Sequence, residues 1–125
     1  MLHVCLAGPG ISGHQALVDE LRIHHEVTLL PDQMRLEHSW VLHGIDVLVL
    51  DAGGIRAMLP PLLRTLHLLR ADLPIVLVDG GLSEHEKADA FNLGVLDYFA
   101  PPYHVGLLAE RLEVLARGRE VPPAS

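Results

Sequence analysis

Residues 45–51 read IDVLVLD, and the run from Asp46 to Leu50 is apolar at every position after its first. A strand with one wet face alternates apolar and polar residues, whereas an unbroken Val/Leu run suits a strand covered on both faces of a parallel sheet. The reading predicts a central strand over Asp46 to Leu50, with Asp51 leaving its carboxyl end. Towards the N-terminus, Glu26 to Leu30 is a second strand, stopped by Pro31. Leu2 to Ala7 is a first strand, closed by the turn Gly8-Pro9-Gly10. Between them, Ala16, Leu17 and Leu21 have the spacing of a helix facing a sheet. A weaker amphipathic segment, Arg35 to Leu42, puts Leu36, Trp40 and Val41 on one side.

Towards the C-terminus, Gly53 and Gly54 mark a loop, and Pro60 and Pro61 preset the start of a helix over Leu62 to Leu69. Pro74 opens a fourth strand, Ile75 to Val78. Ser83 with Glu86 forms a capping box for a helix reaching Leu93, closed by Gly94. A fifth strand follows at Val95 to Phe99. The last helix runs from about His104 to Ala116, with Leu107, Leu108, Leu112 and Leu115 on its buried stripe and Gly118 at its end. Strands alternating with helices predict an α/β, flavodoxin-like fold: a doubly wound five-stranded parallel sheet in three α/β/α layers. Ligands of such sheets sit at the carboxyl ends of the strands. Function is therefore sought at Ala7 to Gly10, Asp51 to Gly54, Asp79 to Gly81 and Ala100 to Tyr103.

The chain has 125 residues, half of them hydrophobic and a fifth charged, which suits one globular domain. Residues 1–117 are assigned to it, and 118–125 to a linker or tail leading to an output domain outside this chain. A net charge of -7, from 9 Lys and Arg against 16 Asp and Glu, opposes direct nucleic-acid binding. The single cysteine, Cys5, excludes a disulfide framework and sits where a thiol merely packs. The apolar runs are too short to span a membrane, and MLHVCLAGPG lacks a basic leader, so a cytoplasmic protein is expected.

Three segments in order, IDVLVLD, LPIVLVDGG and AFNLGVLDYFAPPY, resemble the receiver domains of two-component response regulators, the CheY-like family, over roughly Leu2 to Arg117. The resemblance implies signal transduction of the phosphorelay type, through protein contacts with a sensor kinase or an output domain, and no enzyme activity. It makes Asp51 the phosphoacceptor position and Tyr98 the switch aromatic. It implies a cis bond between Pro101 and Pro102. It also places Asp97 and Arg111 on a face, made of the fourth helix, fifth strand and fifth helix, through which receivers form homodimers. The family's acidic pair falls at Ala7 and Gly8, its hydroxyl at Asp79, its small residue at Gly80 and its lysine at Pro101. Ile55 stands where a proline is usual, so the Gly53 loop is rebuilt. The chain resembles a degenerate receiver, a pseudo-receiver.

Magnesium needs hard oxygen ligands, usually carboxylates, so Ala7 and Gly8 leave little to hold it and no cofactor is expected. Without metal and lysine, most of the positive charge that stabilises phosphoryl transfer is gone, and Asp79 adds a repelling carboxylate. Phosphorylation of Asp51 is expected to be weak or absent. Asp51 and Asp79 read as neighbouring solvated loop carboxylates, or else as a weak surviving cation site or a built-in negative charge. An alternative rests on Gly8 to Gly13, which satisfies G-x-G-x-x-G between a strand and a helix, with Asp32 beyond the second strand: a nucleotide-binding loop. Nine histidines, including the adjacent His24 and His25, repeat no zinc pattern and most are expected on solvated helices and loops. Ser12, Ser39 and Ser83 lie in no nucleophile elbow.

Overall fold

The strands β1 (His3–Ala7), β2 (Glu26–Leu30), β3 (Val47–Asp51), β4 (Ile75–Val78) and β5 (Asp97–Phe99) form one parallel sheet in the order β2-β1-β3-β4-β5. The helices are α1 (Gln15–Arg22), α2 (Ser39–His43), α3 (Leu59–Leu69), α4 (Glu84–Asn92) and α5 (Val105–Gly118). Short 3-10 turns at Ile11–His14, Gln33–Glu37 and Arg56–Met58 precede α1, α2 and α3. The computed structural model describes residues 1–78 and 81–118; Asp79, Gly80 and residues 119–125 lie outside the described residues. Among the described residues no helix is long and apolar enough to cross a membrane.

Successive strand side chains point to opposite faces, and β3 shows what that does here. Leu48 and Leu50 join Cys5, Ala7 and the buried residues of α2, α3 and α4 in one core. Val47 and Val49 join Val4, Leu6 and the buried residues of α1 and α5 in the other. Asp51 shares the parity of Val47 and Val49. Its side chain therefore emerges on the side of α1 and α5.

The doubly wound sheet expected from the sequence is present, with small shifts. β3 runs one residue later than predicted, so Asp51 is part of it. β5 begins at Asp97 and not at Val95, although Val95 is buried. α3 starts at Leu59 with Pro60 and Pro61 in its first turn, where their missing N–H groups are not needed. In α1 the sheet-facing residues are Leu17, Val18 and Leu21, while Ala16 is exposed. Leu107 of α5 is 60% exposed, and Leu108, Leu112 and Ala116 form the buried stripe.

The segment from Arg35 to Leu42 is not one helix. His38 adopts an extended conformation, φ -77° and ψ 119°, and divides it into a 3-10 turn and the five-residue α2. The break ends a single helical face: Leu36 and Val41 are buried, and Trp40 is 71% exposed. α2 is too short to persist on its own. Arg70 holds its end, since Nη1 donates to the carbonyl oxygens of Leu42 and Ile45.

Candidate functional site

β1 and β3 are neighbours, and the chain leaves β1 towards one side of the sheet and β3 towards the other. A crevice results at their carboxyl ends. Asp51 fills its floor. It is 1% exposed, so the expectation of a solvated loop carboxylate is overturned. A buried carboxylate survives only where hydrogen-bond donors replace water. Here the donors come from two segments: Gly53 N–H donates to Oδ1 at 2.7 Å, and His14 Nε2 lies 2.7 Å from Oδ2.

His14 ends the 3-10 turn that leads into α1 and, at 6% exposed, is an exception to the solvated places expected for most of the histidines. Its other nitrogen, Nδ1, lies 2.5 Å from the Tyr103 hydroxyl, in the segment between β5 and α5. The two rings are nearly parallel, 18° apart with centroids separated by 5.7 Å. Asp51, His14 and Tyr103 thus link the ends of β1, β3 and β5 in one hydrogen-bonded chain. Among the described residues, every buried side-chain nitrogen and oxygen has a partner.

The loop from Gly8 to Gly13 is shaped by this chain. A Cβ on Gly8 would stand 2.7 Å from the Asp51 carbonyl oxygen, and φ there is +120°. On Gly10 it would stand 2.6 Å from Asp51 Oδ2, while at Gly13 it would meet nothing within 4 Å. The first two glycines make room for the aspartate and leave no cradle for a phosphate. Asp32 caps the next 3-10 turn by accepting from Met34 N at 3.0 Å. The nucleotide reading is therefore not favoured.

Ala7 is fully buried and carries no ligand atom, as Gly8 carries none. Magnesium, which the receiver resemblance implies at this edge, does not fit the described residues: one Asp51 oxygen faces an imidazole and the other a backbone amide. Among the described residues no group of three or more His, Cys, Asp or Glu side chains is placed to hold a metal. Asp79 and Gly80, expected beside Asp51, lie outside the described residues. The bond between Pro101 and Pro102 is cis, and Pro101 is exposed.

Tyr98 is half-buried in β5 and packs on the α2–α4 side of the sheet, with Lys87 Nζ 5.2 Å from its ring centroid. Asp97 and Arg111 lie on the surface and pair with each other, Arg111 Nε donating to Asp97 Oδ2 at 3.0 Å. Arg56, in the turn after the Gly53 loop, reaches Glu86 in the first turn of α4, with Nη2 2.5 Å from Oε1. The Arg56 guanidinium and the backbone N–H of Ser83 hold the Glu86 carboxyl down at about 2, and the pair raises Arg56 in turn. Cys5 lies within β1, where burial pushes its thiol up to about 12.

His14 and Tyr103 were not singled out in the sequence. Both lie in or next to segments leaving strands one and five, so their neighbourhood was legible. Their meeting was not, because 89 positions separate them in the chain.

No protein-family model matches the chain. It is 28% identical over 119 residues to the regulatory protein VirG of Rhizobium radiobacter, covering 94% of this chain and 44% of that protein. With VirG of Rhizobium rhizogenes it shares 28% identity over 121 residues, 95% of this chain and 50% of that protein. The chain spans about half the length of the curated relatives it matches. Among solved structures it superposes on a CheY-like response regulator receiver domain protein from Methanospirillum hungatei with a TM-score of 0.79 and 16% identity, covering 96% and 97% of the two chains. A putative pilus assembly-related protein from Burkholderia pseudomallei gives 0.80 and 19%, covering 99% and 95%. The chain is thus similar in sequence to the VirG regulatory proteins and has the CheY-like fold of receiver domains.

Proposed function

We propose that this domain serves signal transduction within a longer cytoplasmic regulatory protein, passing its state on through contacts with a kinase or an output domain, and that Asp51 is not a working phosphoacceptor. The observation that carries the proposal is the engagement of both Asp51 oxygens, by His14 and by Gly53 N–H, at a carboxylate that is almost fully buried. An attacking carboxylate oxygen must face its phosphoryl donor in line, and the transferred group needs positive charge around its oxygens. Asp51 faces an imidazole, and Ala7, Gly8 and Pro101 supply no charge. The length of the VirG relatives supports a partner domain beyond this chain. Tyr98 and the surface of α4, β5 and α5 are the proposed route of coupling and of self-association.

Intact mass after incubation with phosphoramidate and magnesium tests the proposal, with Asp51→Asn as control. The expected result is unmodified, folded protein. A phosphoryl adduct that disappears in Asp51→Asn overturns it.

A further inference from the structure

The signalling reading makes no use of Tyr103. Its hydroxyl lies 2.5 Å from His14 Nδ1, and His14 Nε2 lies 2.7 Å from Asp51 Oδ2. An ionised carboxylate only accepts, so in the neutral imidazole Nε2 carries the hydrogen and donates it to Asp51. Nδ1 is then the acceptor for the phenol hydrogen. An oxygen nucleophile, a base and an orienting carboxylate thus stand in hydrogen-bonded sequence, the arrangement by which a hydroxyl is activated. His14 is buried and engaged at both ring nitrogens. Tyr103 is half-buried and lines a cleft of about 390 Å³ whose other walls include Gly10, Gly13, Leu17 and Pro102.

We propose that Tyr103 is an activated acceptor of uncharged acyl groups, a modification site at the sheet edge. In the step, Tyr103 Oη forms a bond to the acyl carbon while the bond from that carbon to its leaving group breaks. The phenol proton passes to His14 Nδ1 and from there to the departing group. Asp51 holds the imidazolium between these transfers and is a positioning residue. The cleft favours an uncharged donor, since none of its lining residues is Lys or Arg and a carboxylate stands behind the base. A phosphoryl donor brings negative charge with no Lys or Arg among the lining residues to meet it.

N-acetylimidazole is the probe, applied to the full chain and read by site-resolved mass spectrometry. Tyr98, the other of the chain's two tyrosines and also half-buried, is the internal reference. The expected result is acetylation of Tyr103 on the order of a hundredfold faster than Tyr98 near neutral pH, as positioned general bases deliver. In denaturant the two rates should converge. Asp51→Asn keeps the shape and should slow Tyr103 while leaving Tyr98 unchanged; His14→Gln should do the same. If Asp51 were only structural, Asp51→Asn would loosen the segment and speed Tyr103, which overturns the proposal. If a variant does not fold, the native ratio decides: equal rates for Tyr103 and Tyr98 overturn it as well. The label sits on Tyr103 and not on Asp51, so its failure is distinguishable from failure of the signalling reading.

Discussion

Gly10 and Gly13 belong to one sequence motif and have opposite surroundings. Gly10 faces Asp51 Oδ2 so closely that a methyl group must push the carboxylate off its partners, whereas Gly13 faces open space. Gly10→Ala is expected to cost ~1–3 kcal/mol, the usual penalty of overpacking. Gly13→Ala, by restricting the unfolded chain, should stabilise by up to ~1 kcal/mol. Urea unfolding of the two variants checks both signs. Cys5 gives a pH dependence at the same scale. Its thiol ionises near 9 in the unfolded chain and near 12 in the folded one. Stability is therefore full below pH 9 and lost as pH rises from there, by up to ~1.4 kcal/mol per pH unit. A Cys5→Ala variant should lack this component in chemical denaturation between pH 8 and 10.

At the scale of elements, α4 shows how a helix of mainly polar residues is held. It buries only Ala90, and its start is fixed by a reciprocal cap between Ser83 and Glu86. Replacing Ser83 by Ala should cost ~1 kcal/mol, the ordinary value of a lost cap. Glu86 also binds Arg56, so one carboxylate closes the helix start and ties it to the turn after the Gly53 loop. The carboxyl is held at about 2, below its ordinary value of 4.5. Its contribution is thus fully present above pH 4.5 and is lost as pH falls through 2. The stability difference between the native chain and Glu86→Gln should stay constant from pH 7 to pH 5 and vanish at the acid end, as followed by circular dichroism. α2 is the contrasting case: five residues held by Arg70 and by the apolar contacts of Leu42, without a side-chain cap.

At the scale of the molecule, the sheet divides two cores and joins them, because each central strand contributes to both. Leu66 of α3 and Leu108 of α5 are fully buried on opposite faces. Leu66→Ala and Leu108→Ala should each cost ~2–5 kcal/mol. Both should lower the midpoint of one common transition, since domains of this size commonly unfold in two states. Far-ultraviolet circular dichroism is the suitable probe. Trp40 fluorescence will change little, because the indole is already largely in water.

The sequence by itself determined the architecture. The unbroken run through Leu50, the boundaries of β2 and β4, the Ser83 cap and the turn at Gly94 are local features, set by burial of both strand faces and by backbone chemistry within a few residues. It also marked Asp51 and the emptiness of Ala7, Gly8 and Pro101. It did not show that Leu107 and Trp40 face water, since a short helix can turn its apolar stripe in more than one way until neighbours choose. Nor did it show what Asp51 touches. That was decided by tertiary structure alone: strand parity turns Asp51 towards α1 and α5, the adjacency of β1 and β3 brings His14 to it, and the segment after β5 delivers Tyr103. A hydrogen bond of 2.7 Å between groups 37 positions apart depends on strand order and register, which no local pattern encodes.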